Sequence, residues 1–361
     1  MQISKIEPYP LRIGEIWKEK IWGGRNLERV LGKTLPDNQL IGELWEVSDR
    51  PGDVCLVTNG PFAGRDLHEL VEKWNQPLLG SASTTVYGRF PLLYKFIDAN
   101  LDLSVQVHPD DALARELNEP DVGKTEMWYV IDAPADGKLI FELTPETTPE
   151  MFRSAIEKSE LEPLMIKVPV QSGDALFVAP GTVHAICEGI VLAEIQQNSD
   201  LTYRVYDWGR VGDDGQPRPL HIDKAMAAIS FGSTPKGPAK PLDIPAEGAH
   251  RQILAACRYF TTEKISVDTG WSAEIPPEGS FRILSAVGGA GSVEVNGVEE
   301  PLVRGDTLIV PASSGTYRVE GPVEMLQFYV ADIDREIIPV LESAGYDEKT
   351  INTLAGINIR S

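Results

Sequence analysis

The chain has 361 residues, 42% of them hydrophobic, with 54 acidic against 33 basic residues and a formal net charge of −21. That excess of carboxylates excludes a general role on nucleic acid or on an anionic membrane, since both demand a basic surface. No apolar run approaches the roughly 18 residues that read as a membrane span, and Met1–Pro10 lacks the basic-then-apolar pattern of a secretory signal. Three scattered cysteines, Cys55, Cys187 and Cys257, fit a reducing compartment and the role of small buried hydrophobes, so a cytoplasmic location is expected. The length predicts two domains.

The first ninety residues read as an irregular lead-in of short strands and turns. Lys18 to Arg25 ends in Gly-Gly, which predicts a turn set by backbone geometry. Gly42 to Ser48 alternates as a strand does. Leu67, Leu70, Val71 and Trp74 recur at helical spacing behind Asp66, a candidate N-cap, and His68 falls off that face toward solvent. Phe90 to Ile97 is dense enough for a buried strand. Lys95 inside it must reach a carboxylate or open toward a site, because an unpaired buried ammonium is costly.

Apolar and polar residues alternate over Ser104 to His108, so a strand there projects Gln106 and His108 from one face. A short helix capped by Asp110 follows over 110–118, with catalysis by Asp110 or Asp111 the weaker alternative. Glu126 stands just ahead of the apolar run Met127–Ile131. Thr148 caps a helix with Pro149 at its first position, and Met151, Phe152, Ala155 and Ile156 form one face. His184 follows the strand Asp174–Val178 across a Pro-Gly turn. Each histidine alone reads more readily as a hydrogen-bonded structural residue than as a ligand. Together with Gln106 and Glu126 they make a nitrogen–oxygen metal cage, one of the few ways to satisfy several polar groups inside a sheet.

Lys124 lies two residues before Glu126 and in an extended chain faces the same way. Strand alternation puts Thr202, Arg204 and Tyr206 on one face of the segment that follows Glu194, and a salt bridge of Arg204 with Asp200 or Asp207 competes with a functional role. Arg210 reads as an ordinary surface cation, and His221, ahead of a short helix over 222–230, as polar surface. Residues 232–248 are rich in Pro and Gly and read as a linker. Beyond them Gly305-Asp-Thr-Leu-Ile-Val-Pro-Ala-Ser313 echoes Gly173-Asp-Ala-Leu-Phe-Val-Ala-Pro-Gly181, an imperfect internal repeat. No histidine follows His250, so the second copy lacks the usual metal ligands. Asp334 to Thr353 reads as a helical tail.

The motifs Lys20-Ile-Trp-Gly-Gly24, Gly42-Glu-Leu-Trp-Glu-Val-Ser48, Phe90-Pro-Leu-Leu-Tyr-Lys95, Gln106-Val-His-Pro-Asp-Asp111, Gly123-Lys-Thr-Glu-Met-Trp-Tyr129, Gly181-Thr-Val-His-Ala185 and Gln196 to Asp207 resemble, in order, those of the type I mannose-6-phosphate isomerases. The resemblance covers most of residues 9–231. It implies a mainly β fold of two cupin (jelly-roll) barrels with a small helical region: a metal-binding catalytic domain over 1–231, a linker over 232–248, and a metal-free cupin domain with helical tail over 249–361. It implies one zinc per chain held by Gln106, His108, Glu126 and His184, an active-site role for Arg204, and a lysine at Lys124. The implied reaction interconverts mannose 6-phosphate and fructose 6-phosphate through an enediol, with Lys124 and Arg204 binding the substrate.

Such a proton transfer needs a base, and Lys124, Glu194, Asp200 and a metal-bound water are the candidates, with Lys124 or Asp200 preferred. Two other readings stand beside this one: a non-catalytic metal-binding cupin that binds or senses a sugar phosphate, and an iron-dependent oxygenase. Two departures from the family are visible. Pro180 directly precedes Gly181, where relatives often separate the two, and the C-terminal region matches only as a generic cupin. The sequence does not set the oligomeric state.

Overall fold

A computed structural model describes residues 6–83, 88–211, 215–233 and 236–359. The chain is mainly β, as expected. A six-stranded antiparallel sheet runs in the order Ala175–Val178, Glu126–Asp132, Ile190–Gln197, Leu92–Ala99, Ile41–Val47 and Ile16–Gly24. A five-stranded sheet runs Met165–Pro169, Lys138–Leu143, His184–Ile186, Val105–Val107 and Tyr203–Tyr206. The two share one core, in which Ile97, Trp128, Val130 and Leu192 of the first meet Leu139, Phe141, Val168 and Ile186 of the second.

Alternate residues of the larger sheet go to opposite cores. Trp128 and Val130 face the small sheet, whereas Met127 and Tyr129 join a cluster that reaches Phe281, Ile283, Leu326 and Phe328 of the C-terminal region. A sheet covered on both faces needs apolar side chains at nearly every position, which is why Phe90–Ile97 and Met127–Ile131 read as continuous runs rather than as alternation. The C-terminal region forms a ten-stranded sheet, and Leu11–Arg12 from the chain's beginning pairs with Leu308 and Ile309 within it. Among the described residues no sheet closes on itself: the strand pairing shows a mainly β chain of packed sheets, and the two cupin barrels stay what the resemblance implies.

The repeat holds locally. Gly173 and Gly305 both have positive φ, 96° and 92°, and each leads into a four-residue strand, Ala175–Val178 and Thr307–Val310. The helices capped by Asp66, Asp110 and Thr148 form with those side chains accepting from Glu69, Leu113 and Met151. Helical turns cover much of the expected tail, over 333–337, 338–343 and 348–351.

Three expectations need correction. Lys18–Arg25 is mostly a strand, Ile16–Gly24. Its glycines serve close approach: a Cβ at Gly23 would stand 2.4 Å from the backbone nitrogen of Gly42, and one at Gly24 would meet Asp98 at 2.8 Å. Part of the proline-rich stretch, Leu242–Ile244, is an edge strand paired with 251–253, because the prolines flank it rather than interrupt its hydrogen bonds; residues 234 and 235 lie outside the described residues. His68 is not simply solvated, since its Nδ1 lies 3.2 Å from the buried Asp49 carboxylate.

Candidate metal centre and cavity

Strand pairing brings the candidate ligands into one row. Gln106 is the register partner of His184 on one side and of Arg204 on the other, so three functional side chains cross the five-stranded sheet abreast. His108 follows that central strand. Glu126 opens a strand of the facing sheet, opposite Gln196. The ligand atoms of His108, Glu126 and His184 all lie within 4.8 Å of one another, and all three residues are buried.

The imidazoles are oriented from behind. His108 Nδ1 lies 2.7 Å from the carbonyl of Leu201 and His184 Nδ1 2.9 Å from that of Thr182, and a carbonyl can only accept. Each Nδ1 therefore carries the hydrogen, leaving each Nε2 lone pair aimed at Glu126, at 3.4 and 3.8 Å. Gln106 Nε2 stands 3.3 Å from His184 Nε2; a half-turn of the amide presents its oxygen to the same space. His108 Nε2 and both Glu126 oxygens are buried without an aligned hydrogen-bond partner. Lys124 Nζ approaches Glu126 Oε1 at 2.6 Å, as an ion pair rather than an aligned bond.

Charge reinforces the arrangement. Burial, aided by the Lys124 charge, pushes His108 down to about 4, and burial lowers His184 as well. Burial alone would raise Glu126, but the Lys124 charge holds it well below the usual carboxylate range. Two neutral imidazoles, an ionised carboxylate and an amide, convergent and with the His108 and Glu126 lone pairs unspent, fit a divalent cation such as zinc.

Beside this cage lies a cavity of about 300 Å³. Lys20, Lys95, Lys124, Arg204 and Arg218 line it against Glu43, Glu194 and Asp200, a cationic pocket in a strongly anionic chain. Lys95 does both things its sequence context allowed: it opens on the cavity, and its Nζ lies 3.1 Å from Glu194 and 3.9 Å from Glu43. Both Glu194 oxygens are engaged, the second by Trp128 Nε1 at 2.9 Å. Asp200 is exposed; its backbone N–H donates to Asp121, and its carboxylate forms no ion pair within 4 Å among the described residues.

Arg204 makes neither of the competing salt bridges. Asp207 is held by Arg210 and Arg218 instead, at 2.6 Å each. Arg204 Nη1 instead donates to Pro219 O at 3.0 Å, and its Nε is buried without a hydrogen-bond partner. Arg210 is thus a structural cation. His221 is more than polar surface: its Nδ1 accepts from the backbone N–H of Arg204 at 3.2 Å.

Sequence reading missed Lys20, Glu43 and Arg218 as cavity residues. For Lys20 the signal was the two-residue offset from Trp22, hidden while Lys18–Arg25 was taken as a turn; Arg218 carries no local pattern at all. A larger cleft, about 770 Å³, lies around Arg258, Pro276–Glu278 and Val330–Glu336, and none of His108, Glu126 and His184 lines it.

Residues 11–154 match the catalytic domain of phosphomannose isomerase type I, and residues 250–330 match the cupin domain of mannose-6-phosphate isomerase. A Bacillus subtilis protein named as a probable mannose-6-phosphate isomerase is 37% identical over 319 residues, 88% of this chain and 98% of that relative. The crystal structure of the mannose 6-phosphate isomerase from Bacillus subtilis superposes with a TM-score of 0.81 at 32% identity, covering 89% of this chain and 99% of that one. A mannose 6-phosphate isomerase bound with zinc and yttrium shares the fold, at TM-score 0.70 and 17% identity, over 89% of this chain and 99% of its own.

Proposed function

The chain belongs to the mannose-6-phosphate isomerase family, and on that premise we propose that it interconverts mannose 6-phosphate and fructose 6-phosphate through an enediol, with one zinc per chain. The observation that carries this reading is the buried cage of His108, Glu126 and His184, with the lone pairs of His108 and Glu126 unspent, beside a cationic cavity. Gln106, His108, Glu126 and His184 would hold the metal. The chemistry supplied by bound zinc is Lewis-acid withdrawal of charge from the sugar oxygens.

The chain's own residues do the rest. Lys124 and Arg204, both reaching the cavity, hold the substrate's anionic oxygens, and Arg204 remains charged as they gain density in the transition state. Lys124 is ion-paired with Glu126, which suits a donor of positive charge better than a base. Asp200 faces the cavity with no ion partner among the described residues and moves the proton between C1 and C2. The two-cupin organisation, a metal-bearing unit over 1–231 and a metal-free one over 249–361, belongs to the same reading and is supported by the paired Gly-Asp strands. A cytoplasmic location is supported by three buried cysteines, all unpaired.

The test is a coupled assay of mannose 6-phosphate conversion on purified protein before and after chelation, with metal content measured on the same sample. Turnover should vanish on chelation and return with zinc. His108→Ala should abolish both metal and turnover, and Asp200→Ala should keep the metal while losing turnover. Stoichiometric metal without turnover would refute the isomerase reading and favour a sugar-phosphate binder; wild-type turnover in Asp200→Ala would remove Asp200 as the base.

A further inference from the structure

Nothing above gives the C-terminal unit a task in the reaction, yet it grips the metal-bearing unit at one carboxylate. Asp111 opens the helix Asp111–Glu116, three residues beyond His108. Its Oδ1 accepts from the backbone N–H of Gly123 at 3.0 Å and from Gln197 Nε2 at 3.1 Å. Its Oδ2 accepts from Arg258 Nη2 at 3.0 Å and from Tyr259 Oη at 2.7 Å. Gln197 ends a strand of the sheet that carries Glu126, and Gly123 lies in the segment leading into Glu126. Arg258 and Tyr259 sit in the turn between the C-terminal strands Ala249–Ala256 and Thr261–Val267, a turn tied to the chain's end by Arg258 N donating to Ile359 O at 2.7 Å.

The segments that meet at Asp111 are those from which the cage projects. Lys124 N donates to Pro109 O at 3.0 Å, Thr125 N to Gln197 Oε1 at 2.9 Å, and Gln197 N to Thr125 O at 3.1 Å. Gly123 lies so close that a Cβ there would stand 2.4 Å from the backbone of Asp110 and Asp111. The laced block therefore fixes His108 relative to Lys124 and Glu126. Asp111 itself does not line the cavity; it acts through its neighbours.

We propose that Arg258 and Tyr259 are positioning residues: their grip on Asp111 lets the C-terminal unit hold His108, Lys124 and Glu126 at the spacing that binds metal. The catalytic consequence rests on the isomerase reading, whereas the metal-holding consequence does not. Charge-assisted bonds to a carboxylate are the strong kind, and supports behind metal ligands commonly change metal affinity by about 10–100-fold.

The experiment uses the full-length, zinc-loaded chain and follows zinc release to a chromogenic chelator, sugar-phosphate turnover and the melting temperature. Arg258→Met and Asp111→Asn should each release zinc about ten-fold faster. The double variant should be no faster than either, because both cut the same link. Arg258→Lys should recover most of the loss, and Tyr259→Phe should show a smaller effect of the same sign. Arg251→Met is the control: it breaks a 2.7 Å pair with Glu263 in the same unit, away from Asp111, and should lower the melting temperature while leaving release unchanged.

Unchanged release in Arg258→Met, additive effects in the double variant, or release that tracks melting temperature in the control would each overturn the proposal. A wild-type chain that holds zinc but shows no turnover sinks the isomerase reading, and release rates still decide the latch. A chain that takes up no zinc sinks both.

Discussion

Lys95→Met offers a direct measure of how the cavity wall is held. Lys95 and Glu194 have side chains only 5% exposed and lie 3.1 Å apart, so neither charge has water to fall back on. Removing the ammonium leaves Glu194 with a single remaining bond, from the Trp128 indole. Glu43 suffers less, because it keeps Lys20 at 3.1 Å and the Trp45 indole at 2.7 Å and had Lys95 only at 3.9 Å. One carboxylate is thus orphaned, and breaking a buried pair from one side costs about 3–5 kcal/mol.

Methionine keeps the length and volume of the lysine stem, so little of that loss comes from a cavity. Urea unfolding of the metal-free chain at pH 7, followed by tryptophan fluorescence, reads it. The double variant Lys95→Met/Glu194→Gln should regain most of the stability, since the uncompensated charge goes with the second change. A loss under about 1 kcal/mol, the range of exposed ion pairs, or a double variant no better than the single, would refute this account.

Other outcomes follow from the same geometry. Burial would raise Glu43, but Lys95 and Lys20 prevail and bring it down to about 2. Its contribution is therefore fully present above about pH 4.5 and is lost as pH falls toward 2, up to about 3 kcal/mol, and Glu43→Gln should flatten that acid limb in urea titrations. Gly123→Ala forces Asp110 and Asp111 aside and should cost about 1–3 kcal/mol by thermal unfolding while weakening zinc retention. Asp66→Ala removes the side chain that accepts from Glu69 N at 2.7 Å and should cost about 1 kcal/mol with metal binding untouched.

Much of this was legible along the chain because it is local. Caps such as Asp66, Asp110 and Thr148 announce themselves within four residues, since the hydrogen bond they make closes that near. The two-residue period of a strand put Gln106 beside His108 and Lys124 beside Glu126, and both pairs face the site. The same local reading failed where close packing, not turn geometry, required glycine at Gly23 and Gly24.

The sequence by itself determined the donor types: two imidazoles, a carboxylate, an amide and cations at strand positions that share a face. Tertiary structure decided what these donors became. Only sheet pairing sets His184 beside Gln106 and Arg204, and only the facing of two sheets brings Glu126 to both histidines. Lys20, Glu43 and Arg218 joined the cavity, and Arg258 reached Asp111 from 147 residues away, by contacts that leave no periodic trace in the chain. The reason is physical: side-chain direction follows from backbone torsions within a few residues, whereas which directions converge depends on how distant apolar faces pack against one another.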